Sequence, residues 1–291
     1  MGKVVVSDTR RLGAKRAAYF HGYEAWHRDF LVQRTAEQYA GFLLPYLQGG
    51  MSVLDCGCGP GSITLGLAEA VLPGSVVGVD VGPQHLEVAR ALATERSVTN
   101  VRFELADVTN LPFPNATFEA AYANTLLLHM RDPVSALKEI RRVLKHGGLL
   151  GVSDPDWATV LWEPSTPLLE ELVTLVRRVF SERGSPYHAR RQRTLLLQAG
   201  FGRTAGYAFT EYFGAPEATR FWAEVVQGQL REPSFIELVT SRGWTDHATL
   251  EAITEGLRAW GKHPDAFYAI LFGAGIGWVT DGEATGDLAA I

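Results

Sequence analysis

Cysteine is nearly missing from this chain: 291 residues contain two, Cys56 and Cys58, separated by one residue. That is too few for a disulfide framework or a four-cysteine zinc site, and their place inside a glycine-rich run suits small packing residues rather than metal ligands. No bound metal is expected. There is no dense run of lysine or arginine, and the formal net charge is −5, so a nucleic-acid partner is disfavoured. The nearest approach to a basic patch is Arg177, Arg178, Arg183, Arg190, Arg191 and Arg193, a spacing that fits solvated helix faces. No window reaches the roughly 20 apolar residues that span a bilayer, which leads to the expectation of a soluble, cytoplasmic protein acting as monomer or homodimer. Internal repeats and low-complexity segments are also missing.

What is present is concentrated in VLDCGCGPG at 53–61 and VVGVD at 76–80. Val53 and Leu54 read as a buried strand, and Gly57, Gly59 and Gly61 let the backbone turn sharply and approach a ligand that any Cβ would block. Ile63, Leu67 and Val71 recur on one helical face. Val76, Val77 and Val79 form a second buried strand ending at Asp80, an acid placed to bind a ribose diol. Dinucleotide enzymes put G-x-G-x-x-G at such a corner, but Ser62 occupies the position of their third glycine, which counts against a nicotinamide-dependent oxidoreductase.

The rest of the chain alternates strand and helix: strands at 52–56, 75–80, 101–106, 118–124 and 148–153, and helices at 62–72, 84–96 and 133–145. This order predicts a parallel sheet. Asp132–Pro133 is a helix start and Gly147–Gly148 a helix stop. Helices are expected at 165–183 and 189–199, a strand at 204–212, helices near 216–230, 233–242 and 246–260, and a last strand at 266–279. Phe42, Leu43, Leu44 and Tyr46 suggest a helix ending near Gly49–Gly50, part of an N-terminal helical cap over residues 1–50.

Asp55, two residues before the first glycine, completes D-x-G-x-G-x-G. With DVTNLPFPNATFE at 107–119, YANTLLLHMRDP at 122–133 and EIRRVLKHGG at 139–148, the chain resembles the class I S-adenosylmethionine-dependent methyltransferases, and among them the UbiE-like, or type 11, small-molecule branch. The resemblance covers about residues 40–155. It implies an α/β fold: a Rossmann-like, seven-stranded, mostly parallel sheet with helices on both faces, the N-terminal cap, a core over 51–212 and 264–280, and a helical insertion at 214–262 that shapes the substrate pocket. It also implies S-adenosylmethionine as cofactor, with S-adenosylhomocysteine as product. Gly57, Cys58, Gly59 and Gly61 would cradle the methionine part through the backbone, with Asp55 organising the turn and the amino group. Asp80, with Val81 after it, would take the ribose hydroxyls. Asp107 would accept from the adenine amino group beside Val108, and Asn124 and Thr125 would hold the methionine moiety. Glu119 replaces the aspartate common in this branch. No N-P-P-Y or D-P-P-Y follows the fourth strand, which disfavours amino methylation of nucleobases, and Asn124 replaces the aspartate of metal-dependent catechol methyltransferases.

The expected reaction is in-line methyl transfer to a small hydrophobic acceptor, a quinone, a phenol, or a polyketide- or terpenoid-like metabolite, at oxygen or carbon. A phenol with an ordinary pKa of about 10 gains from a general base, whereas an activated carbon needs less help. Candidate catalytic groups are His129, His27, Tyr23 and Asp156, with Tyr19, Asp154 and His188 also weighed. Trp157, Trp162, Phe221, Trp222 and Trp244 are candidates for an aromatic pocket. The alternative is an enzyme that keeps the cofactor as a structural element while its pocket catalyses cyclisation or rearrangement.

Overall fold

The computed structural model describes residues 25–280. Eight strands form one sheet: β1 Ser52–Cys56, β2 Ser75–Asp80, β3 Val101–Leu105, β4 Phe118–Asn124, β5 Leu144–Pro155, β6 Leu161–Glu163, β7 Arg203–Phe213 and β8 Phe267–Trp278. The order β3-β2-β1-β4-β5 is parallel throughout, and β8 runs antiparallel to β5. β7 covers the other edge of β8 from Tyr268 to Trp278, so the short β6 continues the line of β5. This is the expected sheet with one additional strand of three residues. Because β1 and β4 are neighbours whose connections leave in opposite directions, a crevice opens beyond their carboxyl ends, where ligands bind in open α/β sheets.

The inner strands are buried on both faces, as a parallel sheet with helices on each side requires. Val53, Val76, Ala120 and Tyr122 face one way, against α2 (Ala36–Tyr39) and α3 (Ser62–Ala70). Their neighbours Leu54, Val77, Ala121 and Ala123 face α5 (Pro133–Val143) and α7 (Gln192–Gln198). α4 (Pro83–Glu95) packs Leu86 and Ala89 with Leu65 and Phe103. A second core joins α6 (Pro167–Arg183) to α8 (Pro216–Leu230), α9 (Pro233–Ser241) and α10 (His247–Trp260), the three helices between β7 and β8. α1 (Ala25–Leu31) lies on α8, and Gly228 makes that approach possible: a Cβ there would stand 2.4 Å from the Trp26 ring. No helix among the described residues is long and apolar enough to cross a membrane.

Several boundaries differ from expectation for local reasons. Pro45 breaks the helix expected to end near Gly49, leaving α2 and a 3-10 turn at Leu44–Tyr46. Asp132 caps α5 as expected, its carboxylate accepting Ser135 N–H at 3.0 Å. The glycine pair does not cap the helix's other end. α5 stops at Val143, and Gly147, at φ +76°, bends β5 where its register with β4 shifts. The helix expected at 189–199 begins as a 3-10 turn, Ala189–Arg191, before α7.

Candidate active site

A cavity of about 310 Å³ opens beyond the carboxyl ends of β1, β2, β4 and β5. Its first half is made largely of backbone. Gly57, Gly59 and Gly61 have φ of +71°, +52° and +81°, a region closed to most side chains. The three serve different ends. A Cβ on Gly59 would have no neighbour closer than Leu31 Cδ1 at 4.0 Å, so that position fronts open cavity. A Cβ on Gly61 would meet Ala89 Cβ at 2.8 Å and the Phe103 ring at 2.9 Å, so this glycine is required by packing of α3 on α4 and β3, not by a ligand.

Asp80 holds the corner together. Its Oδ2 accepts Gly59 N–H at 2.9 Å and its Oδ1 accepts Gly82 N–H at 2.7 Å. Each carboxylate oxygen offers two acceptor sites, so bracing both turns leaves the geometry of a diol receptor intact. His85, on α4, stands with Nδ1 3.6 Å from Asp80 Oδ1. Asp55 lies buried below the turn, accepting Thr64 O–H at 2.6 Å, and burial pushes its carboxyl up to about 7. Val81, Ala106 and Val108 add an apolar wall. Ser62 explains why a third dinucleotide glycine is not needed: its hydroxyl donates to Leu31 O at 2.8 Å and pins the turn to α1.

At the end of β4, Asn124 is committed on both sides of its amide, donating to Ser153 Oγ at 2.8 Å and accepting from Thr125 Oγ1 at 3.0 Å and from Arg34 Nη1 at 3.3 Å. Thr125 sits at φ +53°. A β-branched residue there costs about 1–3 kcal/mol, the kind of strain that collects at ligand sites.

The second half is aromatic. Trp26 and Phe30 from α1, Trp157 after β5, Phe180 from α6, Trp222 from α8 and Phe272 from β8 line it. Phe30 and Trp222 rings are 5.4 Å apart, and Trp157 and Phe180 also 5.4 Å apart. Two histidines face this space. Burial, and then the neighbouring His85, Arg34 and His129, lower His27 to about 3. Burial and Arg183 lower His129 to about 4. Both imidazoles are neutral near pH 7. Glu211 on β7, 4% exposed, brings a carboxylate to the same wall, accepting from the Tyr39 hydroxyl and standing 3.8 Å from Arg34 Nη2.

Of the residues singled out in the sequence, Asp55, Gly57, Cys58, Gly59, Asp80, Val81, Val108, Asn124, Thr125, His27 and His129 converge on this cavity. Three acids do not. Asp107 lies between the lining residues Ala106 and Val108 but is itself exposed, with Oδ1 taken by the N–H and hydroxyl of Thr109 at 2.8 and 2.7 Å. Asp156 is not among the residues that line the cavity: it is buried and accepts from Arg190 at 2.6 and 2.8 Å. Asp154, pushed up to about 7 by burial, accepts from Gln192 Nε2 at 2.8 Å and Leu128 N–H at 3.3 Å, holding the turn that carries His129. Tyr23 and Tyr19 lie outside the described residues. Trp162, Phe221 and Trp244 pack elsewhere; only Trp157 and Trp222 of that set line the cavity. Arg34, His85, Glu211 and Gln229 escaped sequence reasoning, because none belongs to a motif and each reaches the site from a different element.

A glycine-turn nucleotide corner opening into an aromatic chamber, at the switch point of a Rossmann-like sheet, is the arrangement of a cofactor-dependent enzyme. The chain belongs to the family described as methyltransferase domain, whose model matches residues 47–198. An uncharacterised methyltransferase of Schizosaccharomyces pombe is 29% identical over 211 residues, 70% of this chain and 76% of its own length. A demethylmenaquinone methyltransferase of Symbiobacterium thermophilum is 31% identical over 179 residues, 58% of this chain and 67% of its own. This chain spans about half to three quarters of the length of the curated relatives it matches. The fold is that of the YcgJ crystal structure from Bacillus subtilis, with a TM-score of 0.57 and 19% identity over 83% of this chain and 98% of that one. The protein is an S-adenosylmethionine-dependent methyltransferase, and the open face of Gly59 beside a diol-spaced acid fits that cofactor.

Proposed function

We propose that the chain methylates a small, uncharged, hydrophobic acceptor, a quinone, a phenol, or a polyketide- or terpenoid-like metabolite, at oxygen or carbon. The observation that carries this is the continuity of the cavity: one space runs from Asp80 and the glycine turn to the rings of Trp26, Phe30, Trp157 and Trp222. A chamber walled by aromatic rings favours flat apolar molecules and excludes bulk water. The relative named demethylmenaquinone methyltransferase supports a quinone-like acceptor.

The bound cofactor supplies an electrophilic methyl group on sulfur. The turn and Asp80 hold it, and Asp55 sits where an ammonium is favoured. Aligning the acceptor for in-line attack contributes most of the rate. Where the acceptor is a phenol, His129 or His27 takes the hydroxyl proton on a ring nitrogen that burial keeps neutral. In this reading residues 25–50, the described part of the expected 1–50 segment, form a cap, 51–212 and 264–280 the core, and 214–262 an insertion whose α8 shapes the acceptor wall. The acceptor is not nucleic acid, and the enzyme works in the cytoplasm as monomer or homodimer.

Incubation with methyl-labelled S-adenosylmethionine and a panel of quinols, phenols and polyketide or terpenoid alcohols, read by mass spectrometry, tests the assignment. Label in a product is the expected outcome. Conversion of an acceptor without label overturns methyl transfer in favour of a rearrangement carried out around a retained cofactor.

A further inference from the structure

Glu211, on β7, is the one acid in the aromatic half of the cavity among the described residues; the other lining acids, Asp55 and Asp80, belong to the glycine turn and its flanking strand. In the register of β7 with β8, Glu211 stands opposite Ile270, and residues opposed in a sheet share a face. Ile270 lines the cavity together with Tyr268 and Phe272 of the same strand, so the carboxylate rises from an apolar wall. Its Oε1 accepts from the Tyr39 hydroxyl and stands 3.8 Å from Arg34 Nη2. Among the described residues nothing donates to Oε2, and that oxygen keeps accessible surface on a side chain that lines the cavity. Phe209 and Phe272 hold the Tyr39 ring edge-on at 6.0 and 5.6 Å, so the hydroxyl that fixes the carboxylate is itself fixed.

A buried ion pair adds little stability over apolar side chains of the same volume, so stability alone does not account for a carboxylate in a wall of rings. An ionised carboxylate only accepts hydrogen bonds, and its open oxygen calls for a donor on the ligand. Charge balance selects that donor. Arg34 already offsets the charge of Glu211, so an ammonium would leave net positive charge in an apolar chamber, whereas an O–H adds none. Glu211, Tyr39 and Arg34 lie outside residues 47–198, the stretch shared with the family, as suits a feature that serves one methyl acceptor rather than the common cofactor. Resting on the methyl-transfer reading above, we propose that Glu211 Oε2 accepts a hydrogen bond from a hydroxyl of the methyl acceptor other than the atom that is methylated. The methyl acceptor is then a polyhydroxylated arene, a hydroquinone or other diphenol. The anchored hydroxyl keeps its proton, and Glu211 sets which hydroxyl is turned away from the methyl group.

The test offers the full chain methyl-labelled S-adenosylmethionine with arenediols of one to three rings, each paired with the mono-ol that lacks one hydroxyl, and with terpenoid alcohols. Products are read by mass spectrometry. The unaltered chain is expected to prefer diols by about 10-fold or more in kcat/KM, as a charge-assisted hydrogen bond provides. Glu211→Gln keeps the shape without the charge and is expected to cut that preference to about twofold, with the loss in KM, and to let the second hydroxyl be methylated as well. Where Glu211→Gln fails to fold because Arg34 is left uncompensated, Tyr39→Phe releases the carboxylate while keeping its charge and is expected to lower the preference in the same direction. Diols and mono-ols methylated equally well, a preference unchanged in the variant, or label entering only the terpenoid alcohols overturns the proposal and leaves methyl transfer standing. Label in no product at all overturns the methyl-transfer reading, and this proposal with it.

Discussion

The two halves of the cavity are built by opposite means. The cofactor half is backbone: a turn of left-handed glycines of which Gly57 and Gly59 line the cavity, two amides braced by Asp80, and a strained Thr125, nearly all from short stretches at strand ends. The aromatic half is side chain: Trp26, Phe30, Phe180, Trp222 and Phe272 come from four elements spread across about 250 residues of sequence. Backbone geometry tolerates little change, because a left-handed glycine cannot be traded for another residue without strain. A wall of rings can be repacked by exchanging one large side chain for another. The first half suits a ligand shared by a whole family, and the second a ligand that differs among its members.

The contrast can be broken most severely at Gly61. Gly61→Ala forces a Cβ to 2.8 Å from Ala89 at φ +81°, and an unfolding free energy lower by about 2–4 kcal/mol is expected in urea titration. An unshifted midpoint would mean the turn is softer than its contacts imply. His129→Ala tests the other half. Turnover on a phenolic acceptor should fall about 100-fold while S-adenosylhomocysteine affinity stays within about twofold, the signature of a general base; a matched loss of affinity would make His129 part of the cofactor half.

Asp80→Ala removes the acceptor of two backbone N–H groups and the proposed ribose contact. Cofactor affinity measured by calorimetry should drop by about 1–3 kcal/mol, and retained affinity would reject that contact. The smallest effect concerns pH. Burial raises the Asp55 carboxyl to about 7, whereas an ammonium ligand requires it ionised. Binding of S-adenosylhomocysteine should therefore weaken as pH falls below 7, by up to about tenfold per pH unit. Asp55→Asn should flatten that profile; a profile unchanged by the substitution would place the ammonium elsewhere.

The same histidines mark a stability trend of defined sign. His27 and His129 are lowered to about 3 and 4 in the folded chain. The unfolded chain takes up protons first as pH drops through the ordinary histidine value of about 6.5. These two residues therefore reduce stability progressively from about pH 6.5 towards 4, and Asp55 and Asp154, raised to about 7, act in the opposite direction over nearly the same range.

Legibility followed the same division. The glycine turn, Asp55, Asp80 and the β4 terminus could be read directly, since a turn and its flanking strands are local in sequence and their residue types are dictated by backbone conformation. Asp156 shows the converse: its place just after β5 suits a catalytic acid, but only the fold brings Arg190, 34 residues on, to pair with it. Trp157 and Trp162 look alike in sequence. One faces the cavity and the other packs edge-on against Trp260 and Tyr268 in the core, because the chain turns at 157–159 before entering β6, the strand that carries Trp162.

By itself the sequence determined that a parallel sheet would carry a nucleotide corner at its first two strands, because buried runs, φ-positive glycines and strand-end acids are properties of consecutive residues. Only the tertiary structure decided which histidines, acids and tryptophans meet in the aromatic half of the cavity. That outcome depends on how α1, α6 and α8 pack over the sheet, and packing joins residues that share no spacing in the chain.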